Sequence, residues 1–324
     1  MSRYINKNSL FLEPQTDQYG SHMVMSNVHK SAKTRYVNID TLFSEEMSSP
    51  GKKYTNPLKY TITIPESINC VNSIKIISAE IPITFFTITA LLGNNTFTIA
   101  RGNPANNTTI VIAIPDGNYT ITTIATAVNS ALSDASATDL KFTFSGKKSV
   151  FWTTQTYGYK LIFDAMVHGP MGTTNYKSKL GWILGFRQTQ YSVPLCKNPP
   201  ADLTAVPTSS ALISETDSDL YGMRYGYLVV DEFVNGAANS MTSLVGNSFM
   251  NKKILARVAF DSTLYHAGTI CYVNEKNGAL VSDIREYSGN VNILKLNVQL
   301  VNCFGDAVDL NGAGMSFILK IECE

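Results

Sequence analysis

Apolar positions in this chain recur mostly at every second residue. In "LKLNVQLV", residues 294–301, Leu294, Leu296, Val298 and Leu300 alternate with Lys295, Asn297 and Gln299. That period predicts a strand with one face in a core and the other toward water. The alternation returns with Phe317, Leu319, Ile321 and Cys323 on one face and Ser316, Ile318, Lys320 and Glu322 on the other, Ile318 being the apolar exception. Between the runs lie Gly305, Asp306, Asp309, Asn311, Gly312 and Gly314, which tolerate positive φ or bond their own backbone, so the chain can reverse there. Two antiparallel strands are predicted. Their connection is long enough to place them in different sheets of a sandwich.

The same period opens at "LKYTITIP", where Tyr60, Ile62 and Ile64 face one way and Lys59, Thr61 and Thr63 the other. Further strands are predicted at 73–81, 96–100, 108–114, 141–145, 149–153, 160–164, 225–233, 253–260 and 269–274, separated by Gly, Pro, Asn and Asp. One segment has a helical period: after "IPDGNYT", Ile121, Ile124, Val128, Ala131 and Leu132 recur at spacings of three and four, with Thr120 or Thr122 placed to cap the first turn. Strands dominate without βαβ alternation. The expectation is an all-β fold, a jelly-roll β-sandwich of two antiparallel sheets with one short helix.

Residues 1–55 read as an extended N-terminal arm, polar, with Pro14, Gly20 and Pro50 and a single strand-like run, "TRYVNID". Residues 56–324 read as the sandwich domain. Within it, 191–220 carries four prolines and little periodicity, so it is expected to be a projecting loop or a small insertion between two core strands.

Composition changes this picture little. Charged residues are 16% of the 324, below the usual ~25%, so Thr, Ser and Asn supply much of the polar surface. A net charge of +1 gives no global case for nucleic acid or an acidic membrane, and the small basic cluster of Lys30, Lys33 and Arg35 is read as part of a solvated or partner-bound tail. Cys70, Cys196, Cys271, Cys303 and Cys323 lie far apart with no CxxC pair or zinc spacing, and are expected as buried free thiols. The opening "MSRYINKNSLFLEPQ" has no apolar core of signal-peptide length, so secretion by the standard route is not expected. "INCVNSIKIISAEIPITFFTITALL" is broken by Lys75, Glu80 and Pro82 and reads as a strand pair, not as a transmembrane helix. The glycosylation triplets at Asn94, Asn106, Asn107 and Asn118 are expected to carry nothing.

Candidate chemistry is sparse. The imidazoles are His22, His29, His168 and His266, two in the arm and two in loop sequence, and no GxSxG, HExxH or phosphate-loop motif accompanies them. Glu215, Asp217 and Asp219 set three carboxylates at alternate positions, a pattern able to wrap calcium, although a solvated loop is the simpler reading without EF-hand spacing. Asp231 and Glu232 suggest an acid/base pair, but neighbours on a strand point to opposite faces. Sixteen Tyr and fifteen Phe serve either sugar stacking or core packing. No catalytic, cofactor-binding or metal site is predicted, and no enzyme.

Four segments carry a family likeness: "TRYVNIDT", "IPDGNYTITTIATAVNSAL" (114–132), "SKLGWILGFR" (178–187) and the closing "LNVQLVNCFGDAVDLNGAGMSFILKIE". Together and in this order the chain resembles the single jelly-roll penton and minor capsid proteins of the nucleocytoplasmic large DNA viruses. The resemblance implies a structural virion protein, assembled in the host cytoplasm, whose partners are its own copies in a homopentamer at fivefold vertices, the major capsid protein and other minor capsid proteins. Rival expectations are a minor capsid protein between capsomers, and a carbohydrate-binding or fibre-head β-sandwich with exposed Tyr and Trp.

Overall fold

The computed structural model describes residues 33–47, 57–102, 108–156, 158–163, 175–200, 210–234, 241–261, 263–264 and 266–323. The chain enters on β1 (Lys33–Asp40) and β2 (Tyr60–Pro82). It then leaves the first sheet for β3 (Thr96–Arg101), β4 (Thr109–Ala113), helix α1 (Ile121–Asp134), β5 (Leu140–Ser145), β6 (Lys148–Thr153), β7 (Tyr159–Ile162), the single-turn helix α2 (Leu180–Ile183), β8 (Gln190–Val193) and β9 (Leu212–Ile213). It returns with β10 (Tyr225–Asp231), β11 (Leu244–Val245), β12 (Ser248–Phe249), β13 (Ile254–Ala259), β14 (Ile270–Asn274), β15 (Leu280–Ser282), β16 (Arg285–Val301) and β17 (Ser316–Cys323). Pairing between these strands is antiparallel throughout, and the all-β sandwich class expected from the sequence holds.

Buried side chains fall into two main cores. In the first lobe, β1, β17, β2, β16, β10, β13 and β15 lie side by side in that order, with β14 added to β2. The inward residues Ile39, Ile76, Leu228, Leu255, Leu296 and Phe317 belong to one aliphatic cluster, so the sheet curls until its halves face each other. It closes on itself at Ser282, whose Oγ accepts the Ile76 N–H (3.2 Å) and donates to the Leu255 carbonyl (3.2 Å).

The second lobe is inserted between β2 and β10. Its sheets, β4-β3-β7-β8 and β5-β6-β9, enclose Phe97, Phe142, Phe151, Phe163 and Phe186. Helix α1 adds Ile124, Val128 and Leu132, the face read from the sequence. Its first turn is closed reciprocally: Thr123 N–H donates to Thr120 Oγ1 (3.2 Å) and Thr120 N–H to Thr123 Oγ1 (2.8 Å). The Asn129 amide then docks helix to sheet, donating to the Phe142 carbonyl (2.7 Å) and accepting the Phe142 N–H (3.0 Å).

Several expectations change on contact with the fold. The runs at 60–64 and 73–81 are one 23-residue strand, β2. Pro65 does not end it because the β2–β16 register slips repeatedly between Glu286 and Lys295, and Cys70 adopts φ 56 in the same irregular stretch. That slippage also reverses one assignment: Leu294, read as inward, is exposed, while Ile293 is buried. Leu296, Val298 and Leu300 are buried as read, as are Phe317, Leu319, Ile321 and Cys323. Gln299, read as facing water, is buried, because Tyr227, Val229, Met250 and Val301 form a small second cluster over that face; its Oε1 accepts from Lys252 Nζ (3.2 Å).

The run "TRYVNID" is β1, paired along its length with β17. The turn after it is tied in by Thr41, whose hydroxyl donates to the Met315 carbonyl (3.1 Å) and accepts the Met315 N–H (2.8 Å). Residues 33–47 thus join the first lobe, while 1–32 of the expected arm lie outside the described residues. A second helix, α2, was not foreseen. Of the segment 191–220 expected to project, the described parts are sewn into the inserted lobe through β8, β9 and the buried Cys196 and Ser214. Cys196, Cys271 and Cys323 are buried thiols, but Cys70 is exposed and Cys303 half-buried. The apolar run at 68–92, read as a strand pair, is instead the second half of β2 up to Pro82 followed by non-strand chain, and no helix among the described residues is long and apolar enough to cross a membrane.

Candidate functional site: the cleft between the lobes

The chain crosses between lobes at 83–90 and at 219–224; side-chain hydrogen bonds hold the first crossing, and backbone bonds from Asp219 N–H to the Ile183 carbonyl (2.7 Å) and from Phe260 N–H to the Arg224 carbonyl (2.8 Å) hold the second. Thr84 Oγ1 donates to the Leu310 carbonyl (2.6 Å), and Asn311 Nδ2 donates to the Thr84 carbonyl. From the other side, Asn118 donates through Nδ2 to the Phe85 carbonyl (3.1 Å) and accepts through Oδ1 the N–H (2.7 Å) and hydroxyl (2.8 Å) of Thr87. Asp116 accepts the Thr89 hydroxyl (2.8 Å) and the Ala90 N–H (2.7 Å). On the return crossing Gly222 has φ 79, and a Cβ there would stand 2.5 Å from Thr87 Oγ1, so a larger residue would push the crossings apart.

A cleft of about 370 Å³ opens beside these crossings. Its apolar wall includes Phe85, Phe86, Trp182, Met223, Tyr225 and Phe304, drawn from both lobes. Trp182 is presented by α2, which can lie close to the sheet because Gly181 sits against Phe163; a Cβ at Gly181 would come within 2.4 Å of that ring. The Arg187 guanidinium lies 4.0 Å from the Trp182 ring centre and donates to the Trp182 carbonyl (3.0 Å), and Arg257 lies 4.3 Å from the Tyr225 ring centre. Charged groups around the cleft are Lys177, Arg224, Asp219, Asp306 and Asp309. Arg224 Nη2 donates to Asp219 Oδ2 (2.7 Å), whereas Asp219 Oδ1 is shielded from water and has no hydrogen-bond partner among the described residues. Burial pushes the Tyr225 phenol and the Cys303 thiol up, so both are neutral at pH 7.

The residues singled out by sequence do not converge. Glu215 accepts the Tyr191 hydroxyl (2.6 Å) and the Arg187 N–H (3.1 Å), while Asp219 faces Arg224, so two of the three alternate carboxylates are committed to separate partners. His266 sits in the loop before β14, its carbonyl accepting from Thr269; His22, His29 and His168 lie outside the described residues, as do Lys30, Asn106 and Asn107. Asp231 and Glu232 diverge as strand geometry requires. Asp231 pairs with Lys253 at the surface (2.8 Å), and Glu232 turns into the core of the first lobe.

There Glu232 meets Arg285, which is fully buried. Arg285 Nη1 donates to both carboxylate oxygens (3.1 and 2.9 Å) and to the Val230 carbonyl (2.7 Å), Nη2 donates to the Ile254 carbonyl (3.0 Å), and Tyr287 donates its hydroxyl to Glu232 Oε1 (2.6 Å). Sequence reasoning missed this network, although a signal exists: Arg285 and Tyr287 occupy the inward parity of β16, with exposed Glu286 between them. The cleft has no such signal, because its walls come from four separate segments, 85–94, 177–183, 219–225 and 302–311.

Outside the cleft, exposed apolar side chains are grouped. Leu244 and Phe249 face each other across the β11–β12 hairpin and are 69% and 67% exposed. The surrounding sequence from Phe233 to Asn251 contains no charged residue. Ile270 and Tyr272 are exposed on β14, and Tyr36 on β1.

Three of the four segments that carry the family likeness meet at the lobe junction. Asp116 and Asn118 latch the outgoing crossing, Trp182 and Ile183 stand on one cleft wall, and 302–311 form the other. The fourth is β1 at the sheet edge.

No family model and no curated protein matches the chain. Among solved structures it is similar to the mavirus penton protein, at 10% identity and a TM-score of 0.45, over 90% of this chain and 100% of that one.

Proposed function

We propose that this protein is a structural component of a viral capsid, a penton protein that forms pentamers at fivefold vertices and contacts the major capsid protein. The observation that carries this reading is where the likeness-bearing segments go. They meet at the junction that sets one lobe on the other, and their polar side chains are spent on backbone carbonyls and N–H groups. A protein whose distinctive residues fix its shape is one whose work is done by that shape. The uncharged hairpin with Leu244 and Phe249, and the exposed Ile270 and Tyr272 on β14, supply apolar contacts of the composition that interface centres favour. On this reading the protein resides in the virion. Light scattering coupled to size exclusion on the purified chain tests it: five times the protomer mass, with fivefold particles in electron micrographs, is the expected result. A monomer at every concentration, with or without the major capsid protein, would overturn it, and a dimer or trimer would replace the penton assignment with a minor capsid role.

A further inference from the structure

The walls of the inter-lobe cleft carry a combination of groups that selects among ligand classes. Its volume, about 370 Å³, and its place at a junction of two lobes are those of small-molecule sites. Three carboxylates, Asp219, Asp306 and Asp309, stand against two cations, Lys177 and Arg224, and this balance disfavours phosphates and other anions. A cationic ligand is also poorly served. The two aromatic rings best suited to hold a cation, Trp182 and Tyr225, already have the Arg187 and Arg257 guanidinia at 4.0 and 4.3 Å. A purely aliphatic ligand would take water from the carboxylates without replacing it.

What the cleft offers is apolar surface on Phe86, Met223 and Phe304 beside carboxylate oxygens. Asp219 Oδ1 is shielded, but its side chain is 44% exposed through the Oδ2 edge that meets Arg224, and a carboxylate oxygen can accept about two hydrogen bonds, so Oδ2 can take a second one. A pyranose ring matches both features, with a C–H face for the aromatic wall and hydroxyls that donate to the acids. We propose that the inter-lobe cleft binds a neutral saccharide. The site lies within one chain and does not depend on the capsid reading.

The chain supplies its own reporter. It has two tryptophans: Trp152, on β6, is buried in a small cluster with Val150 and Cys196 and does not line the cleft, and Trp182 is on the cleft wall. The full chain is titrated with the methyl glycosides of glucose, galactose, mannose and N-acetylglucosamine, following tryptophan fluorescence and, independently, saturation-transfer NMR. At least one glycoside is expected to give a saturable signal by both. Phe86→Ala, at a site 41% exposed and so tolerant of truncation, is expected to weaken it about tenfold, and Asp219→Asn to weaken it while leaving the fold intact. Leu294→Ala, at an exposed position of β16 that does not line the cleft, should bind like the parent. Silence from all four glycosides, binding of dodecanoate or oligolysine in their place, or full binding by both cleft variants would overturn the proposal. A pentamer that binds no glycoside rejects this inference alone; a monomer that binds one rejects only the capsid reading.

Discussion

The two lobes are built from the same alternating pattern yet hold themselves together by different means. In the first, long strands bring aliphatic side chains from both ends of the chain into one cluster, and a buried Arg285–Glu232–Tyr287 network sits among them. In the inserted lobe the strands are short, and the core is a set of touching rings: Phe151 lies 4.6 Å from Phe142 and 5.9 Å from Phe97, and Phe163 stacks on Phe186 at 4.9 Å. A few large rings bury much area per residue, which suits a small lobe with little strand length. A wide curled sheet needs many small contacts, and it also has to choose one register out of several. A buried ion pair stabilises little net of its desolvation, but its directional hydrogen bonds to the Val230 and Ile254 carbonyls tie β16 to β10 and β13 in one alignment.

The sharpest way to break the contrast is Val298→Asp. Val298 is fully buried in the first lobe, so the variant places an unpaired carboxylate there at a cost of roughly several kcal/mol, and soluble yield should collapse. Asn297→Asp, one residue away on the opposite face, should express normally. Normal folding of the first variant with failure of the second would reverse the register assigned to β16.

Next in size is Glu232→Ala, which strands the Arg285 guanidinium and should lower stability by about 3–5 kcal/mol in urea unfolding. Adding Arg285→Met should restore much of that loss, since the stranded charge is removed with its partner gone. A double variant no better than the single would show that the network contributes packing, not charge pairing.

Phe151→Ala should cost about 3 kcal/mol, toward the lower end for this truncation, because neighbouring rings can lean into the space. Both tryptophans lie in the inserted lobe, so fluorescence should report the loss there, while hydrogen exchange in β2 and β16 should change little. Equal loss of protection in both lobes would mean that they unfold as one unit.

The smallest expected effect is alkaline. Burial, and then the Glu232 carboxylate beside it, raises the Tyr287 phenol above its usual value near 10; burial, and then a hydrogen bond to Asp139, raises Tyr159 in the inserted lobe, with Arg101 opposing. Both phenols stay protonated in the folded state where the unfolded chain has ionised. Their contribution is therefore complete below pH about 10 and is lost as pH rises through the folded values. Tyr287→Phe should flatten the alkaline fall in stability of the first lobe, and Tyr159→Phe that of the second. An unchanged pH profile in either variant would assign the fall to other groups.

Much of the local structure was legible in the chain itself. Alternation located most strands to within a residue or two, and the spacing from Ile121 to Leu132 located α1 together with its Thr120 cap. These are properties of one segment folding against one apolar surface, so the period alone carries them. The adjacency of Asp231 and Glu232 likewise implied that they diverge, because successive strand residues point to opposite faces.

What only the tertiary structure decided is which strands share a core. Alternation is identical in both lobes, and nothing local in β3 or β10 states that the chain between them packs on itself. The parity change at Leu294 depends on a register slip against β2, the burial of Gln299 on a cluster contributed by β10 and the chain before β13, and the cleft on walls from segments far apart in sequence. Each arises from pairing between segments distant along the chain, where the choice is made by burial summed over the whole molecule and not by the preference of any one stretch.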